Sequence, residues 1–117
     1  MKYGFIGLGN MAGAIIEGMV SSGKFSSDEI YGFNRSEAKT LALRDKCGVI
    51  PCKSAAELVS KAEVIVLAVK PQNFPQVLGE LSDAFGTDGF DGKIFISIAA
   101  GISVGFIKER LGGKTAV

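Results

Sequence analysis

The chain has 117 residues, 47% hydrophobic and 21% charged, with a formal net charge of +1. This composition predicts one globular domain, residues 1–117, without a basic face for nucleic acid or a polybasic patch for membranes. Its apolar runs are far shorter than the roughly 20 residues that span a bilayer, and no signal peptide is evident, so we expect a cytoplasmic protein. The chain has no histidine, and Cys47 and Cys52 lack C-x-x-C spacing. We therefore expect free cysteines, no metal site and no His-dependent nucleophile.

Strand and helix patterns alternate along the chain with short connections, which is typical of a parallel sheet covered on both faces. The predicted strands are 2–6, 30–33, 49–52, 64–69 and 94–98, the last two buried on both faces. The predicted helices are 11–22, 37–46, 55–61, 74–85 and 103–111. Ser36 is expected to cap helix 37–46, and Ser54 to cap helix 55–61. Residues 87–92 are expected to form a loop, and residues 115–117 to open a truncated sixth strand. Right-handed crossovers then predict a doubly wound, Rossmann-like α/β sheet in the order 3-2-1-4-5.

A Gly-x-Gly-x-x-Ala turn follows the first strand and precedes the first helix, as in dinucleotide-binding folds. Gly7 permits the tight turn, Gly9 allows a pyrophosphate to approach the backbone, and Ala12 lets the helix pack closely on the strand. Free N–H groups at the helix start and the helix dipole favour phosphate there. The predicted cofactor-binding residues of this turn are Gly7, Leu8, Gly9, Asn10, Met11 and Ala12. A plain glycine-rich turn in another α/β protein is the alternative.

The residues after the second strand indicate which dinucleotide is bound. An Asp or Glu usually ends this strand in NAD-binding domains, but here the chain reads Asn34, Arg35 and Ser36. No carboxylate repels a 2′-phosphate, Arg35 can pair with one, and Ser36 adds a hydroxyl at a helix start. We therefore predict a preference for NADPH, with NADH possible. A surface arginine beside a helix-capping serine is the alternative.

The predicted strand order reverses between the first and fourth strands, and ligands of doubly wound sheets bind where such a reversal occurs. The cofactor should therefore lie between the Gly7–Ala12 turn and the turn after the fourth strand. The cofactor-binding residues predicted in this second turn are Ala68, Val69, Lys70 and Pro71. A catalytic role is one interpretation of Lys70, and a lysine that leads into a turn is the alternative. A lysine in a turn is seldom buried enough for its pKa to be perturbed. No catalytic residue is assigned.

These segments together resemble the N-terminal dinucleotide-binding domain of pyrroline-5-carboxylate reductase over nearly the whole chain. The matching segments are 5–12, 34–36, 68–72 and 97–103. The first two are shared with β-hydroxyacid and 6-phosphogluconate dehydrogenases, whereas Val-Lys-Pro-Gln and Ser-Ile-Ala-Ala-Gly-Ile-Ser are more specific. Members of the family often have an Asn near the adenine side where this chain has Ala55, which puts one hydrogen bond in doubt.

The resemblance implies reduction of 1-pyrroline-5-carboxylate, a cyclic imine, to L-proline by hydride transfer from NAD(P)H in proline biosynthesis. It places the turn from Ala68 to Pro71 along the cofactor. It also places Ala99, Ala100 and Gly101 beside the small-molecule substrate. The family has a helical C-terminal half that forms the dimer and completes the substrate site. That half is not among these 117 residues, so we expect the chain alone to be inactive and the full-length protein to be a homo-oligomer.

Other functions remain open at the level of sequence. A similar glycine turn and a similar Asn-Arg pair occur in β-hydroxyacid and 6-phosphogluconate-type dehydrogenases, and similar turn residues occur in deazaflavin-type NADP oxidoreductases. A non-catalytic module that binds NADP to sense redox state would also carry them.

Overall fold

The computed structural model describes residues 1–86, 90, 92–98 and 102–111. Over these residues the strands are β1 (Tyr3–Ile6), β2 (Ile30–Phe33), β3 (Ile50–Pro51), β4 (Val64–Leu67) and β5 (Ile94–Ser97). The helices are α1 (Asn10–Ser21), α2 (Glu37–Cys47), α3 (Ala55–Lys61), α4 (Phe74–Phe85) and α5 (Val104–Leu111). Short 3-10 turns at Ser27–Glu29 and Pro71–Asn73 precede β2 and α4. None of the helices in the described ranges is long and apolar enough to cross a membrane.

The five described strands form one parallel sheet in the order β3-β2-β1-β4-β5, so the predicted order is confirmed. The last residue of β1, Ile6, pairs with Phe33 of β2 on one side and with Leu67 of β4 on the other. Because these strands end at the same level, the turns that follow them meet at one edge of the sheet. The predicted sixth strand, 115–117, lies outside the described residues.

Apolar side chains cover both faces of the sheet and form two clusters. On one face α3, α4 and α5 contribute Leu58, Leu78 and Ile107, all fully buried. On the other face Ile16 of α1 packs with the β1 residue Phe5 and with β4. β4 supplies side chains to both clusters, which confirms it as a central strand buried on both faces.

Several boundaries differ from the prediction by one or two residues. β1 begins at Tyr3, α1 begins and ends one residue early, and β4 ends at Leu67 rather than at residue 69. β3 has two residues rather than four, and it lies at the edge of the described sheet, where Pro51 needs no ladder N–H. The predicted cap of α3 is confirmed, since Ser54 Oγ accepts the N–H of Glu57 at 3.0 Å.

The prediction that the fifth strand is buried on both faces is wrong. Phe95 is fully buried, but Ile94 and Ile96 are 47% and 44% exposed. β5 lies at the edge of the described sheet, where α1 packs on β1 and β4 and leaves the same face of β5 uncovered. The apolar composition of the strand could not distinguish a central position from this one.

The two cysteines are free thiols, as expected. Cys52 is buried in the cluster beneath α3 and α4, and this burial raises the pKa of its thiol to about 11. The thiol is therefore protonated at neutral pH and serves as a small apolar packing group.

Replacing Gly4 with alanine should lower the free energy of unfolding by about 1–3 kcal/mol, because the added methyl overpacks the core. Its Cβ would lie 2.4 Å from Cδ2 of Leu58, a side chain with no exposed surface to move into. Denaturant unfolding measures the change.

The matched control is Gly18→Ala in α1, whose Cβ meets no described atom within 4 Å. This substitution should raise stability by about 0.5–1 kcal/mol through helix propensity. Equal stabilities for the two variants would contradict the tight packing of α3 on β1.

Candidate functional site

A crevice of about 260 Å³ opens at the carboxyl edge of the sheet, between the turn after β1 and the turn after β4. This is the point where the strand order reverses, as predicted for a ligand site. Its walls are formed by the glycine turn after β1, the ends of β2 and β4, and the start of α4. The lining residues are Ile6, Gly7, Leu8, Gly9, Phe33, Asn34, Arg35, Lys39, Ala68, Val69, Lys70, Asn73, Gln76, Val77 and Glu80.

Gly7 brings the turn after β1 against the end of β4. Its φ is +95°, in the left-handed region that favours glycine, and its N–H donates to the carbonyl of Phe33 at 2.8 Å. A Cβ at this position would lie 2.7 Å from the backbone nitrogen of Val69. Both the conformation and the close approach of two backbones therefore require glycine here.

The start of α1 leaves backbone donors uncommitted above an open space. Gly9 is the N-cap, and a Cβ built on it meets no described atom within 4 Å. The N–H groups of Asn10, Met11 and Ala12 lie in the first turn, where a helix offers no acceptor. Together with the helix dipole, this arrangement suits an anionic group.

The side chain of Ala12 is 1% exposed and packs in the cluster beneath α1, so its small size allows the close packing predicted from the sequence. Met11 is 62% exposed, and the side chains of Asn10, Met11 and Ala12 do not line the crevice. These three predicted cofactor-binding residues are therefore not among the residues that line the crevice.

The side chain of Asn34 links the turn after β1 to the turn after β2 by hydrogen bonds. Its Oδ1 accepts the N–H of Leu8 at 2.9 Å, and its Nδ2 donates to the carbonyl of Ser36 at 3.2 Å. The amide thus stabilises the glycine turn from 26 residues away. The N–H of Leu8 is taken up by this bond, and the Leu8 side chain is buried in the core.

The end of β2 presents cations to the crevice. Arg35 is exposed, and Lys39, one helical turn further along, lines the same wall. Ser36 occupies the N-cap position of α2, but its hydroxyl makes no capping hydrogen bond, so the prediction of a side-chain cap is wrong here. The asparagine amide beside it already bonds to the Ser36 carbonyl, and the serine does not line the crevice.

The wall opposite Arg35 is one face of α4 and the turn before it, which the sequence analysis missed. Its residues follow the helical spacing i, i+3, i+4 and i+7, and they are Asn73, Gln76, Val77 and Glu80. The signal was available, because the helix after β4 must begin at the switch point and present one face to it. Lys39 of α2 also lines the crevice and was not predicted as a site residue.

The crevice carries more positive than negative charge. Among the described residues, Arg35, Lys39 and Lys70 line it together with one carboxylate, that of Glu80. Pro71, predicted as a cofactor contact, begins the 3-10 turn and does not line the crevice. Ala99, Ala100 and Gly101, predicted beside the substrate, lie outside the described residues. No cluster of metal-ligating side chains occurs among the residues that the structure describes.

The parallel sheet and the glycine turn at its switch point define the chain as a Rossmann-like α/β domain. The sequence pattern of the family described as "NADP oxidoreductase coenzyme F420-dependent" matches residues 2–101. The chain belongs to this family.

Similar proteins carry a more specific name. The chain is 36% identical over 111 residues to a pyrroline-5-carboxylate reductase of Escherichia coli, covering 95% of this chain and 40% of that protein. The structure is similar to that of a pyrroline-5-carboxylate reductase from Coxiella burnetii, with a TM-score of 0.86 and 33% identity over 97% of this chain and 41% of the other. It is also similar to Plasmodium falciparum pyrroline carboxylate reductase with NADP bound, with a TM-score of 0.80 and 25% identity over 98% of this chain and 39% of the other. The chain thus spans about 40% of the length of these relatives.

Replacing Gly7 with alanine should lower the free energy of unfolding by about 2–3 kcal/mol, because the turn combines a positive φ with backbone contact to β4. Gly9→Ala is the control, since its φ of −74° suits any residue and its Cβ points into open space. Thermal unfolding without ligand compares them. A Gly7 variant as stable as the Gly9 variant would contradict the described turn.

Proposed function

We propose that residues 1–117 form the NADP(H)-binding domain of a pyrroline-5-carboxylate reductase, which reduces 1-pyrroline-5-carboxylate to L-proline. The observation that carries the proposal is the placement of Arg35 and Lys39 in the crevice of the glycine turn, where NAD-binding domains usually have a carboxylate. The similarity to several pyrroline-5-carboxylate reductases supports the choice of reaction.

Groups in and beside the crevice support the binding of a phosphorylated dinucleotide. The open space at Gly9 and the first-turn N–H groups of α1 suit a pyrophosphate. At the β2 end, the guanidinium of Arg35 can pair with a 2′-phosphate, and Lys39 adds a second positive charge. Apolar side chains of Phe33 and Val77 line the walls between these polar groups.

When bound, NADPH supplies the hydride that reduces the imine carbon. In our proposal this chain binds and orients the cofactor: the glycine turn holds the phosphates, and the backbone from Ala68 to Lys70 flanks the nicotinamide half. Ala99, Ala100 and Gly101 border the imine. Lys70 lines the crevice from the same turn, but no catalytic role is proposed for it.

In a protein of the relatives' full length, the remaining part would be a helical domain that forms a homo-oligomer and closes the substrate site. This division is the one that the resemblance to the reductase family implies. We further propose that such an enzyme works in the cytoplasm on a small-molecule substrate.

Replacing Arg35 with alanine should weaken NADPH binding about tenfold or more and leave NADH binding nearly unchanged, because a charge-assisted contact to the 2′-phosphate is lost. Titration by nicotinamide fluorescence measures both affinities. Gly9→Val is the control for the shared part of the cofactor. It should abolish binding of both dinucleotides while circular dichroism stays unchanged. Equal losses for both cofactors in the arginine variant would exclude the phosphate role.

The 117-residue chain should bind NADPH but consume it negligibly in the presence of 1-pyrroline-5-carboxylate. It has no histidine, and Glu80 is the only carboxylate lining the described crevice, so few groups surround the reacting imine. Nicotinamide absorbance follows consumption. Turnover at an ordinary enzymatic rate, about 1–10³ per second, would mean that residues 1–117 hold the catalytic groups, and Lys70 would be substituted first.

A further inference from the structure

Three polar side chains form a chain of hydrogen bonds across the mouth of the crevice. The guanidinium of Arg35 donates to Oε1 of Gln76, and Nε2 of Gln76 donates to Oε1 of Glu80 at 3.4 Å. All three residues line the crevice. Arg35 follows the end of β2, whereas Gln76 and Glu80 lie one turn apart on α4. These hydrogen bonds therefore connect the two walls of the crevice.

Gln76 lies between Arg35 and Glu80, and this arrangement determines whether the positive charge of Arg35 is available to a ligand. A guanidinium and a carboxylate in direct contact form a strong, often bidentate pair. Such a pair would occupy the planar fork of Arg35 and neutralise the charge that a phosphate needs. The structure places a neutral amide between them instead. One amide oxygen engages only part of the five N–H donors of arginine, which leaves the others available.

The exposure of these side chains allows a ligand to replace their contacts. Arg35, Gln76 and Glu80 are all exposed, so a ligand can reach these groups and replace a hydrogen bond without disturbing the core. A phosphate arriving at the β2 end would meet a guanidinium already held over the crevice, which reduces the entropic cost of ordering a long side chain.

We propose that Gln76 is a positioning residue that determines selectivity for the phosphorylated dinucleotide: it holds Arg35 over the crevice and keeps it apart from the carboxylate of Glu80. The proposal rests on the proposed binding of NADP(H) at this crevice. It assigns to α4, which is distant in sequence from the glycine turn and from β2, a part in choosing between NADPH and NADH.

The test is Gln76→Glu, which replaces the amide with a carboxylate of the same shape directly on Arg35. NADPH should bind about tenfold or more weakly, because its phosphate must now displace an ion pair, whereas NADH affinity should change less than about twofold. Thermal unfolding should remain near that of the wild type, since the site is exposed.

The matched control is the double variant Gln76→Glu with Glu80→Gln, which exchanges the two groups and keeps the net charge of the crevice unchanged. If contact with Arg35 matters, the exchanged variant should remain as weak for NADPH as Gln76→Glu. If it binds NADPH like the wild type, only total charge matters and the positioning role is overturned. An unchanged ratio of NADPH to NADH affinity in Gln76→Glu would overturn it as well.

Two further measurements separate this proposal from the function it rests on. In an Arg35→Ala background, Gln76→Glu should have little additional effect on NADPH binding, and this coupling identifies a role exerted through Arg35. Full additivity of the two substitutions would refute such a role. A wild-type chain that binds neither dinucleotide would contradict the proposed function itself, whereas selective loss in Arg35→Ala without any loss in Gln76→Glu would contradict only the role of Gln76.

Discussion

The close approach of two strand ends at Gly7 is the contact on which the crevice depends. The Gly7 N–H bonds to the end of β2, and the space that its side chain would fill is occupied by the backbone that follows β4. The turn at Gly7 connects β1 to α1 at the switch point of the sheet. Any side chain at this position would collide with the backbone of Ala68 and Val69.

The register of the sheet and one long-range side-chain contact hold the other parts of the site in place. β1, β2 and β4 end at the same level, so the residues after them are neighbours in space. Asn34 then bonds to the turn after β1, which links the position of Arg35 to the position of the glycine turn. The glycine turn after β1 and the cationic wall are therefore positioned relative to each other by the same small set of contacts.

The two walls of the crevice have different electrostatic characters. The wall from β2 and α2 presents Arg35 and Lys39, whereas the α4 wall presents the amide of Gln76 and the carboxylate of Glu80. Because the amide bonds to both charged groups, the arginine is held without being neutralised. The charged groups at the mouth of the crevice therefore come from three separate parts of the chain: the end of β2, α2 and α4.

The sequence alone determined the alternation of strands and helices, the order of the sheet, the glycine turn and the importance of the residues after β2 and β4. Apolar runs of strand length and the cap at Ser54 are local features, and the sheet order follows from the right-handed crossover rule once the alternation of strands and helices is known. Only the tertiary structure decided that α4 forms a wall, that the Asn34 amide supports the turn, and that Ile94 and Ile96 are exposed. These outcomes depend on which face of a helix or strand meets a distant element. That choice follows from the register and packing of the whole sheet, which a local pattern does not contain.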